Sequence, residues 1–98
     1  MTTELQIPPT AKSDKQACEL IRAWAAHGGL YCSLNVDAWG DDKATIGWGI
    51  LLSDIARHVA DAFNQTKDWD KQETLSKIRS LFDSELGKPT AETRGDFV

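Results

Sequence analysis

The sequence contains no basic cluster, no long apolar run and only two cysteines. Each absence removes a class of function. Nucleic-acid affinity rests on neutralising phosphates with grouped Lys and Arg, and here the charges are spread. Residues 1–49 carry four basic and six acidic side chains, and residues 50–98 carry seven and nine. The same balance argues against a basic amphipathic membrane helix. No segment approaches the roughly 18 apolar residues of a spanning helix. Met1-Thr2-Thr3-Glu4 lacks the basic and apolar regions of a secretory signal, so a cytoplasmic location follows as the default. Cys18 and Cys32 fall in apolar patterns, where free thiols behave as small buried hydrophobes, and nothing in the spacing demands a disulfide.

What is present is enough for one folded domain: 98 residues, 41% of them hydrophobic, with four tryptophans. Leu30, Cys32, Leu34 and Val36 alternate with Ser33 and Asn35, which predicts a β-strand with one buried face. Such a strand needs a partner for its backbone groups. The candidates are Leu5–Ile7, a weak strand after Lys43, or a second copy of the chain.

The rest reads mainly as helix. Ser13 and Gln16 form a capping box that opens a first helix, whose stripe is Ala17, Leu20, Ile21, Trp24 and Ala25. Gly28 stops that helix, with His27 in its last turn. Residues 44–50 fit either a second strand or a helix start. The stripe Trp48, Leu51, Leu52, Ile55, Ala56, Val59 and Phe63 favours a second helix from about Ile46 to Gln65. Asp70 and Glu73 cap a third helix over about 71–86, which Gly87 and Pro89 end. The predicted organisation is an extended segment over 1–12, a single α+β domain over 13–87 and a flexible tail over 88–98.

Several residues could carry chemistry. Asp54 stands four residues before His58, with Arg57 adjacent, a spacing that could orient an imidazole base or hold a ligand. The plainer reading is a solvated helix face laced with charge pairs. Cys18, His27, Cys32 and His58 make a Cys₂His₂ count without the close pairs of a zinc site, so no metal is assigned. The G-x-G of Gly47-Trp48-Gly49 lacks the third glycine of a dinucleotide fingerprint, and no cofactor is assigned. Trp39, inside a polar loop, is a candidate contact residue, and Trp69 is expected to pack back on the third helix.

The run Trp24-Ala25-Ala26-His27-Gly28-Gly29-Leu30-Tyr31-Cys32-Ser33-Leu34-Asn35, followed by Trp48 to Ala60, resembles a family of small proteobacterial proteins classed as a domain of unknown function. The resemblance extends from Ile7 to Phe82. It implies a small stand-alone bacterial protein and brings no activity.

The expected fold is α+β: three amphipathic helices packed on a small antiparallel sheet that dimerisation completes. A homodimer built on the Leu30–Val36 strand edge or on the second helix would protect an otherwise open edge. Leu30, Cys32, Leu34 and Trp39 are the candidate interface residues. The expected function is a non-catalytic protein-interaction or regulatory module with a protein partner. A small-molecule site or enzyme around Asp54, Arg57 and His58 is the alternative. Neither nucleic acid nor membrane is expected as a partner.

Overall fold

A computed structural model describes residues 2–98, so Met1, the first residue of the expected extended segment, lies outside the described residues. The elements run α1 (Pro9–Ser13), β1 (Ile21–Ala26), β2 (Gly29–Leu34), α2 (Gly40–Lys67), α3 (Lys71–Gly87) and β3 (Gly95–Phe97). The class is α+β, with three helices and one three-stranded sheet of order β1-β2-β3. The sheet is mixed rather than antiparallel, because β3 joins β2 in parallel.

The expected first helix is the main correction. Residues 21–26 form a strand, and Ser13 ends a short helix instead of opening a long one, its Oγ donating to the Thr10 carbonyl at 3.0 Å. The deciding feature is the turn. His27 and Gly28 both have positive φ, 48° and 73°, which a two-residue hairpin of the primed type requires. Ala26 then pairs with Gly29, Trp24 with Tyr31 and Ile21 with Leu34. The strand partner is thus the adjacent segment, neither Leu5–Ile7 nor a strand after Lys43. Residues 44–50 are helical, and α2 starts earlier than expected, at Gly40.

The chain end, expected as a mobile tail, carries β3. Leu30 N–H donates to the Arg94 carbonyl at 2.8 Å, and Val98 N–H to the Cys32 carbonyl at 2.9 Å. Gly95 sits at φ 126°, and a side chain there would collide with the Leu30 backbone, so this close parallel approach needs glycine. With β1 on one side and β3 on the other, β2 is the central strand. Its edge is not open, which overturns a dimer built on that edge.

The helices form a separate hairpin joined through Asp68, which closes α2 in a left-handed conformation at φ 58°. Asp70 caps α3, its carboxylate accepting from Glu73 N–H at 2.8 Å. Ala60 and Thr74 are buried where the helices meet. Phe63 and Trp69 stack beside them, 4.6 Å apart with planes at 12°, so Trp69 packs on α2 while sharing a hollow with Thr74 and Ile78 of α3.

The hairpin does not pack on the sheet. Among the described residues, no Cα of β1, β2 or β3 comes within 8 Å of a Cα in α2 or α3. The expected helix layer over the sheet is therefore absent within one chain. Only Gly47, Ala60 and Thr74 are buried among the described residues.

Candidate interaction surface

Backbone register fixes what each sheet face presents. Ile21, Ala23 and Ala25 of β1 stand opposite Leu34, Cys32 and Leu30 of β2, and Phe97 of β3 lies beside Cys32. These seven side chains share one face because opposed residues point the same way. The face is apolar throughout and no helix covers it: Leu30 is 54% and Phe97 68% exposed, while Ile21, Cys32 and Leu34 are half-buried. The strand alternation therefore holds for Leu30, Cys32 and Leu34, whereas Val36 lies past the end of β2 in a turn, and the expected burial of this face is not met within one chain. The other face carries Arg22, Trp24, Tyr31 and Ser33.

Helix α2 divides its circumference. Ala60 and Phe63 turn toward α3. Trp48, Leu52, Ile55 and Val59 follow at i, i+4, i+7 and i+11, the spacing of a continuous apolar stripe. Leu52, Ile55 and Val59 are exposed. The first half of the helix is apolar nearly all round, since Thr45 is the only polar residue from Ala44 to Leu52. A helix of that composition belongs in a core, yet Ile46 is 63% exposed here.

Trp39 is half-buried and folds back on α2, edge-on to Trp48 and across Gly47. It fixes how the chain enters the helix and leaves little of its ring for an outside partner. Cys18 is exposed rather than buried, Cys32 is half-buried on the apolar sheet face, and both are free thiols.

Asp54, Arg57 and His58 lie on the remaining, polar side of α2. Asp54 pairs with Arg57 at 3.3 Å, and both side chains are more than half exposed. His58 is also exposed. A hollow lies elsewhere in the chain. It measures about 630 Å³, separates the N-terminal segment from β1 and is lined by Leu5, Ile7, Pro8, Ile21 and Trp24. Arg22 spans it, bonded to Glu19 at 3.1 Å and paired with Glu4 at 3.6 Å. The Glu19 hydrogen bond, then its charge, hold the guanidinium pKa above its ordinary value. With both neighbouring carboxylates engaged, Arg22 anchors the N-terminal segment to β1. Among the described residues, no three His, Cys, Asp or Glu side chains come together as a metal site. No helix there is long and apolar enough to cross a membrane.

A small mixed sheet with one apolar face that no helix covers, joined to a helical hairpin with an exposed apolar stripe, defines an α+β domain. The chain belongs to the family of DUF5076, a domain of unknown function, whose model matches residues 4–90. No curated protein matches it. Among solved structures it is similar to a chain described as a "putative pyruvate dehydrogenase" from the photosynthetic bacterium Rhodopseudomonas palustrus. The identity is 31%, the alignment covers 96% of this chain and 93% of that one, and the TM-score is 0.66.

Proposed function

We propose that this protein is a non-catalytic interaction or regulatory module that works by binding protein through its apolar sheet face and the apolar stripe of α2. The observation that carries the reading is the continuous apolar face of Ile21, Ala23, Ala25, Leu30, Cys32, Leu34 and Phe97 with no helix packed over it. Bare apolar faces of this kind mark association sites, because burying them is favourable at roughly 25 cal/mol per Å². The setting that fits is the cytoplasm of a bacterium.

The alternative, a ligand or reaction at Asp54, Arg57 and His58, draws on an exposed ion pair and an exposed imidazole. Both are the usual furniture of a solvated helix face. The dehydrogenase description of the Rhodopseudomonas chain does not enter this reading, because no residue here is tied to such a reaction.

Matched baits test it. The wild-type chain, Leu30→Lys, and a triple Asp54→Ala, Arg57→Ala, His58→Ala variant are offered the same proteins, including a differently tagged copy of the chain. Partners kept by the triple variant and lost by Leu30→Lys support the reading. Partners lost only by the triple variant overturn it in favour of the alternative.

A further inference from the structure

We infer that the missing layer is supplied by a second copy of this chain, so that the α2 stripe of each copy covers the sheet face of the other. The inference rests on the reading of these faces as binding surfaces and names their occupant.

Area sets the scale. A compact monomer of this mass, 10.8 kDa, exposes about 5,500 Å². This chain exposes 8734 Å². The excess, about 3,000 Å² per chain, is several times the roughly 800 Å² that one partner of a standard interface covers, and over two copies it reaches the upper end of the area that obligate dimers bury. The radius of gyration agrees, at 15.4 Å against about 13 Å for a compact chain of this length.

Complementarity identifies the occupant. The sheet lacks helices on its apolar face, and the hairpin lacks a sheet on its apolar stripe. One chain carries both halves of a two-layer α+β core, each missing what the other has. Two copies related by a twofold axis satisfy both deficits at once, as an isologous interface requires. The dimensions suit each other. The six residues of β2 span about 20 Å, and the stripe from Trp48 to Val59 spans about 17 Å.

Closure within one chain is opposed at the connection between the halves. Asn35 N–H donates to the Leu20 carbonyl at 3.0 Å, Ala38 N–H to Asn35 at 3.2 Å and Gly40 N–H to Asp37 at 3.1 Å. Trp39 is wedged against Trp48. Folding the hairpin back over its own sheet would break this linker. The polar side of α2, with Asp54, Arg57 and Asp61, stays in water when the stripe is covered.

The test is light scattering with size exclusion over a concentration series on the full chain, with urea unfolding at each concentration. It is repeated for Leu30→Asp on the sheet and Leu52→Asp on the stripe. Leu30 is more than half exposed in the single chain and Leu52 nearly so, so a large effect of either charge reports the partner. The expected result is the mass of two chains and a urea midpoint that rises with concentration. Each variant should raise the dissociation constant by about 30-fold or more, the scale of an interface hot spot. If a variant does not fold, the wild-type midpoint still decides. A dimer indifferent to both substitutions overturns the sheet-on-helix assignment. A monomer that binds the apolar dye ANS and keeps a radius of gyration near 15.4 Å by small-angle X-ray scattering overturns the second copy, and leaves the faces free for a different protein. A monomer that binds no dye and scatters at about 13 Å overturns both readings, because the faces would then be closed within one chain.

Discussion

Trp39 stands edge-on to Trp48, with ring centroids 5.7 Å apart and planes at 81°, and its ring lies directly over Gly47. The geometry is the favourable T-shaped arrangement of an aromatic pair. It also explains why a glycine is tolerated inside α2: a Cβ at position 47 would collide with the Trp39 ring. Helix propensity alone favours Ala over Gly by about 0.8–1 kcal/mol. Here the collision reverses the sign. Gly47→Ala should destabilise by about 1–3 kcal/mol as the tryptophan is displaced. Gly49→Ala meets nothing within 4 Å and should stabilise by up to about 1 kcal/mol. Paired thermal melts check both, and equal effects at the two positions would remove the packing explanation.

The hairpin turn predicts its own mutational signs. His27 at φ 48° occupies a left-handed position that asparagine accepts more readily, and Asn-Gly is the favoured pair for this turn. His27→Asn should therefore be neutral or slightly stabilising. His27→Val puts a β-branched residue at positive φ and should cost about 1–2 kcal/mol. Denaturant midpoints of the two variants measure the difference. A valine as stable as histidine would mean that the turn does not hold this conformation.

These two sites show what the sequence made legible. The third helix was readable because its signals are local: a cap at Asp70, an apolar period and Gly87. The face of β2 was readable because alternation over Leu30–Leu34 has one interpretation. Residues 17–26 were not, because Leu20, Ile21, Trp24 and Ala25 satisfy a helical period while Ile21, Ala23 and Ala25 satisfy a strand period. His27-Gly28 was the available arbiter, since a residue pair tolerant of positive φ can close a hairpin as well as end a helix. Strand β3 had no periodic signal, being three residues paired in parallel at a glycine. The separation of hairpin from sheet was invisible for a different reason. An apolar stripe announces that it will be covered but does not say by which chain.

Glu85 links the end of α3 to the segment that returns to the sheet. Its Oε2 accepts from Thr90 N–H at 3.0 Å, and that backbone bond, with the Thr90 side chain second, holds the carboxyl pKa below its ordinary value. A carboxyl with a folded pKa below its unfolded one stabilises the folded state above the unfolded value. That contribution is lost as pH falls from the ordinary glutamate range, about 4.3, through the lowered folded value. The Thr90 amide resonance should follow the same titration, with a midpoint below about 4.3. Glu85→Gln should abolish the titration at Thr90. A midpoint at or above the ordinary value would show that the bond is not formed in solution.

The charged group on α2 and the cap on α3 offer a direct contrast within one hairpin. Asp54 and Arg57 are bonded at 3.3 Å but lie in solvent, where such pairs contribute at most a few tenths of a kcal/mol. His58 is exposed beside them. Asp70 is exposed too, yet it satisfies a backbone N–H that α3 cannot satisfy itself. Position in the hydrogen-bond scheme, rather than charge, should decide the effect. Asp54→Ala, Arg57→Ala and His58→Ala should each shift stability by less than about 0.5 kcal/mol. Asp70→Ala should cost about 1 kcal/mol. Chemical denaturation followed by helical circular dichroism compares all four. A loss of more than about 1 kcal/mol at His58 would mean that the imidazole meets a group the single chain does not show. A partner would then lie over the polar side of α2 rather than its apolar stripe.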